Sequence, residues 1–302
     1  MTEVWKDAVD KIGALAGKWT TYAAFGTFLL YLFGYLTLRF QLMAYGVVTN
    51  LDAFDEKYLF AGCSFLVNFL LALLVLLFLV GLLGFLVFLI SRPIPKRSRE
   101  YIAARIRILL HHSLASLVLG SAAALLVIQL GLRQCLLLHN VLLADELPDA
   151  WISRILLASE AEQGYYFTGM VAGMVLTLAM LAAGLCYSPV VPVTTTRKLL
   201  TGLLTSLIAI EFLFLPINFG MLINSRQLPR VAQISTSEKL PDGAMAWLVW
   251  ESKDILTYFL LDRNKRRYMI TIPRKDNQVS IVGSDPIFKV VFPDDPAGLP
   301  AK

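Results

Sequence analysis

LLTGLLTSLIAIEFLFLPINFGMLI, residues 199–223, is the stretch that decides the fold. Its only charge is Glu211; the nearest flanking charges are Lys198 and Arg226. As a helix these residues reach about 37 Å, more than the roughly 30 Å of a bilayer's hydrocarbon core. The carboxyl group of Glu211 then falls near the middle of a crossing. An ionised side chain at that depth costs about 3 kcal/mol. Glu211 is therefore expected to be protonated, paired, or in contact with a water-filled cavity.

The rest of the chain has the same character. Of its 302 residues, 57% are hydrophobic and only 16% charged, against about 25% charged in ordinary soluble domains. Five spans are expected: Trp19–Leu38, Leu59–Ile90, Ile108–Leu132, Tyr166–Tyr187 and Leu199–Ile223. The second, at 32 residues, would be about 48 Å long as a straight helix. It must tilt, project or bend, and Gly81 and Gly84 are the expected bend or close-packing points.

Orientation follows from Lys and Arg placement. The segment from Arg92 to Arg107 holds six basic residues and one acid, Glu100, a surplus equal to the whole net charge of +5. Between two spans, such a loop reads as cytoplasmic and close to anionic headgroups, not as a nucleic-acid site. The 139–165 loop carries Asp145, Glu146, Asp149, Glu160 and Glu162 against Arg154, and reads as external. Arg197 and Lys198 return the chain to the cytoplasm. The N-terminus is then cytoplasmic and everything after Ile223 extracytoplasmic, unless the fifth span is re-entrant. A multi-pass protein of a bacterial inner membrane fits this pattern.

Residues 1–18 repeat apolar positions at helical spacing, among them Val4, Trp5, Ile12 and Leu15, with Lys6, Asp7, Asp10 and Lys11 opposite. They read as an amphipathic helix, on the membrane surface or on the protein's own loops. The tail changes composition. Short β-branched and aromatic runs at 247–251, 255–261, 268–272, 278–282 and 288–292 alternate with charged breaks such as 262–267. The expected fold is an all-α transmembrane helix bundle with a small C-terminal antiparallel β-domain over 224–292, a meander of four or five strands. Residues 293–302 read as a disordered tail.

Candidate chemistry centres on Glu211. Asn218 lies two turns on, on the same helix face. Pro216 cannot donate to the carbonyl of Phe212, which frees an acceptor beside Glu211. These groups suit a cation or proton site, or a structural hydrogen bond at a Pro kink. In the proposed orientation Asn68, Gln129 and Asn218 fall at similar depth on three spans. They read as interhelical glue or as the lining of a polar cavity. Gly169 and Gly173 form a GxxxG pair, which expects close packing of the fourth span on another helix, in this chain or a neighbour.

Other residues are read as structural. His111 and His112 point about 100° apart on a helix and chelate poorly together. Cys63, Cys135 and Cys186 are widely spaced and read as small buried hydrophobes. No phosphate loop, HExxH, GxSxG or dinucleotide fingerprint occurs, and no internal repeat. No cofactor or metal is expected. The expected function is a non-enzymatic membrane subunit or scaffold of a larger assembly. The expected partners are membrane lipid and other membrane subunits, or further copies of itself. The alternatives are a channel or ion-coupled transporter using Glu211 and, third, a membrane enzyme.

Overall fold

The computed structural model describes residues 18–47, 56–91, 113–137, 139–143, 160–186, 194–223, 227–232, 234, 244–264, 266–274 and 279–291. Five long helices come first: α1 Trp19–Tyr45, α2 Glu56–Ser91, α3 Ser113–Leu137, α4 Glu160–Cys186 and α5 Thr195–Leu222. All five are long and apolar enough to cross a membrane. Five strands and a short helix follow: β1 Gln227–Val231, β2 Met245–Glu251, β3 Ile255–Leu261, β4 Arg267–Pro273, β5 Ile281–Pro286 and α6 Ile287–Val291. The expected surface helix at 1–18, the basic 92–107 segment, His111, His112 and the 293–302 tail lie outside the described residues.

Local chemistry sets the helix ends. α1 stops at Gly46, whose φ of 79° is left-handed and whose N–H donates back to Leu42 and Met43 carbonyls. The turn at 139–143 supplies further donors: the N–H of Val141 reaches the carbonyl of Ala44 at 2.8 Å. α5 starts at Thr194, whose hydroxyl accepts from the N–H of Arg197. α5 then continues unbroken through Pro216, for 28 residues and about 42 Å.

Glycines fix how the helices meet. A Cβ on Gly34 would stand 1.7 Å from the Tyr58 carbonyl oxygen, and one on Gly62 2.1 Å from that of Leu30. The α1 and α2 backbones therefore touch at two reciprocal points. Gly220 does the same for α5 and α1, where a Cβ would stand 2.1 Å from the Thr37 carbonyl oxygen. A Thr37 hydroxyl bond to the carbonyl of Pro216, 3.2 Å, adds to that contact. Phenylalanines fill the space so formed. Phe33, Phe65, Phe69, Phe167, Phe212 and Phe219 meet mostly edge to face, with centroids 5.3–6.5 Å apart.

α2 behaves differently along its length. Its first half is built into the bundle through Phe65, Phe69 and Ala72. From Leu77 to Ile90 every residue is exposed and apolar. Gly81 and Gly84 lie in that part with nothing within 4 Å of a Cβ position. They do not break the helix, and no other described element reaches them.

The sheet is antiparallel throughout, in the order β4-β3-β2-β1-β5. One strand is added to the expected set and one expectation is corrected. Residues 227–231 form a strand outside the five runs read from the sequence, with Pro229 inside it. β2 pairs only with Arg230 and Val231, so Pro229 sits where β1 has a single neighbour, β5. Residues 288–292 were expected as a strand, but 287–291 are helical: Ile287 and Val290, one turn apart, join a core between the sheet and the helices. β5 itself covers 281–286 and returns beside β1, so the order is a four-strand meander with its last strand added at the starting edge.

Side chains alternate across the sheet as the pleat requires. Leu228, Trp247, Phe259 and Leu261 face the ends of the helices and pack with Leu42, Ala44, Tyr45, Val47, Val141 and Leu142. Ala246, Leu248, Leu256, Tyr258, Leu260 and Ile272 form a second cluster on the other face. β3 is buried from Leu256 to Leu261, as a strand covered on both sides must be. Lys57, at the start of α2, ties the sheet down: its ammonium lies 4.7 Å from the centre of the Trp250 ring and donates to the Glu251 carbonyl.

Candidate functional site

α4 and α5 run antiparallel, and their midpoints bring Thr177 beside Glu211. Glu211 is 1% exposed. Its Oε2 lies 2.7 Å from the Thr177 hydroxyl, which also lies 2.8 Å from the carbonyl oxygen of Met174. Glu211 Oε1 has no hydrogen-bond partner among the described residues. No described basic side chain forms an ion pair with Glu211.

Two turns nearer the sheet, Asn218 is fully buried at the same face of α5. Its amide nitrogen donates to the carbonyl of Phe214 at 2.9 Å, and its Oδ1 has no partner. Gly131 of α3 opposes it: a Cβ there would stand 3.4 Å from Asn218 Nδ2 and 3.6 Å from the Met170 terminal methyl. One turn further along α3, Gln134 is 1% exposed and sits beside the Tyr166 phenol of α4. Neither of its amide atoms has a hydrogen-bond partner of normal geometry. Between the two polar levels lie Leu215, Met170 and Met174, packed with Val127.

The other sequence-selected residues go elsewhere. Asn68 is partly exposed and donates to Ser64 of its own helix at 2.9 Å. Gln129 is exposed, on a side of α3 away from Gly131. The three amides at similar depth therefore do not converge. Gly173 faces Val127, 2.7 Å from its Cβ position, whereas Gly169 is exposed with nothing within 4 Å. Cys63 is exposed, not buried, because it lies on the outer side of α2; Cys135 is partly buried. Among the described residues, no three His, Cys, Asp or Glu side chains gather as a metal would require.

No family model, curated protein or solved structure matches this chain. The site is therefore read from its own chemistry. Sequence reasoning missed Thr177, Gln134 and Arg197. Thr177 carried a usable signal: it is the middle of the expected span 166–187, as Glu211 is of 199–223. Arg197 looked like a loop charge. It is buried, and its guanidinium donates to the Gly184 carbonyl at 2.7 Å, in the last turn of α4. A cation there offsets the negative end of that helix.

Proposed function

We propose that this chain is a non-enzymatic, multi-pass integral membrane subunit or scaffold, with its N-terminus cytoplasmic and its sheet extracytoplasmic. The observation that carries the reading is the bare second half of α2. Fourteen consecutive apolar residues, Leu77–Ile90, are exposed, although the first half of the same helix is built into the bundle. An apolar helix face is stable only against lipid or another helix. Gly81 and Gly84 leave open backbone there, at which a second transmembrane helix approaches closely. The sheet, anchored on the helix ends, gives such an assembly a rigid extracytoplasmic cap.

Mass measurement of the protein extracted in a mild detergent tests this. Other membrane subunits that co-purify in fixed ratio support it. A lone monomer rejects it. A symmetric ring of identical chains favours a second reading, an ion or proton pathway, for which the unpartnered Glu211 Oε1 is the specific support. Flux through reconstituted Glu211→Gln then decides: a pathway that uses the carboxyl loses conduction while assembly persists.

A further inference from the structure

We propose that Glu211 is a neutral carboxylic acid whose Oε1 binds water, and that this water exchanges with the sheet end of the molecule along the α3–α4–α5 interface, past Met174 and Met170 to Asn218 and Gln134. Burial gives the protonation. Glu211 is 1% exposed, at the middle of two apolar helices, and no described basic side chain pairs with it. Its one described hydrogen bond is accepted by Oε2 from the Thr177 hydroxyl at 2.7 Å, and that hydroxyl shares its single proton with the Met174 carbonyl at 2.8 Å. One shared hydrogen bond does not offset an ionised carboxylate at that depth.

The route comes from three buried polar side chains. Glu211 Oε1 and Asn218 Oδ1 have no partner among the described residues, and Gln134, equally buried, sits beside the Tyr166 phenol. Native interiors rarely leave such groups unsatisfied, and buried water is their usual partner. Seven residues separate Glu211 from Asn218, about 10 Å along the helix. The step between them is closed by Met170 and Met174, unbranched side chains that change rotamer easily.

The other end of the interface is sealed. Leu117, Ala124, Leu204 and Leu207 fill it. Leu117 lies 2.7 Å from the Cβ position of Gly184, and Leu204 2.9 Å from that of Gly120. Among the described residues, unpartnered polar atoms therefore lie only on the sheet side of Glu211. Water access from that side suits a scaffold as well as a transporter, since it concerns water and not flux.

Infrared difference spectroscopy of the full-length protein in phosphatidylcholine vesicles reads the proposal. Wild type minus Glu211→Gln gives the carbonyl band of the acid. A neutral-acid band is expected at neutral pH. In D2O it should shift as a deuteron replaces the carboxyl proton, which leaves as HDO, and it should do so well before the span amides exchange. Gln134→Leu should slow that shift at least tenfold, and Leu207→Met, at the sealed end, should leave it unchanged. Thr177→Val retains the acid but moves its band upward, and serves if Glu211→Gln does not fold. Carboxylate bands in place of the neutral band overturn the proposal. So does a band that never shifts in D2O, or one slowed only by the Leu207 change.

Discussion

Thr177→Val leaves Glu211 Oε2 without its partner. Interhelical hydrogen bonds of this kind are worth about 0.6 kcal/mol, at most about 1.7. A loss of that size is expected, and Glu211→Leu should lose a similar amount. The double variant should lose no more than the larger single one, because both remove the same bond. Glu211→Gln should stay close to wild type, since its amide oxygen can still accept from Thr177. Reversible unfolding in mixed detergent micelles measures all four. Glycines give a sharper contrast. Gly34→Ala forces a Cβ onto the Tyr58 carbonyl and should cost about 1–3 kcal/mol or more. Gly81→Ala meets no described residue of this chain, and in the dissociated chain should be neutral or stabilising by up to about 1 kcal/mol. If the two behave alike, the α1–α2 contact is not as tight as its backbone distances say.

At the level of elements, much was legible. The spans read out because lipid admits long uncharged runs and the flanking Lys, Arg and acidic residues stop them. β2, β3 and β4 read out because Trp247, Tyr258 and Ile270 sit in β-branched and aromatic runs of strand length. β1 did not, because QLPRV is not a β-branched or aromatic run; Pro229 is tolerated in it where β1 has a single neighbour. The run at 288–292 misled because β-propensity follows context: Val290 is buried in the same core whether reached by strand or helix. Reciprocal glycine contacts were illegible, since Gly34 and Gly62 meet backbone at positions set by the crossing of two helices. Of the site, Glu211 and Asn218 were found, and their partners on α3 and α4 were not.

The sheet supports two expectations at the same scale. A fragment of residues 232–294 lacks β1, and β5 pairs only with β1. It also bares Trp247, Phe259 and Leu261, which pack on the helix ends in the full chain. Poor amide dispersion and no cooperative melt are expected; a sharp transition would show that β2–β4 suffice. Tyr258 gives a pH response. Burial, and then the charge of Glu251, hold its phenol above the usual Tyr range. A raised value means that the fold favours the neutral form. That stability is complete below about pH 10 and is lost as pH climbs through the folded value. Tyr258→Phe should flatten the alkaline limb of the sheet's unfolding profile.

Across the whole molecule the helices alternate, and the sheet and the 139–143 turn share one end. The Asn140 and Val141 N–H groups donate to the Met43 and Ala44 carbonyls of α1, and Val141 and Leu142 pack under the sheet. Single cysteines at Asp149 and Arg263, in a background without Cys63, Cys135 and Cys186, should react with an impermeant maleimide from the same side. That side is expected to be the outside of the cell. A cysteine at Arg97 should stay protected. Labelling at 97 alone inverts the orientation, and labelling at 149 without 263 requires α5 to fall short of a full crossing.

The core beneath the sheet joins Leu42, Ala44 and Val47, from the first helix, to Leu228, Phe259 and Val290, some 190 to 250 positions later. Such a contact has no counterpart while the chain is still emerging from the ribosome. The first helix is capped by Gly46 and then by the 139–143 turn, but its apolar end waits for the sheet through the making of four further helices. Loop closure over that distance is slow. Completion of this core therefore waits for residues 228–290, and a premature stop before Val290 would leave five inserted helices with one end unfinished.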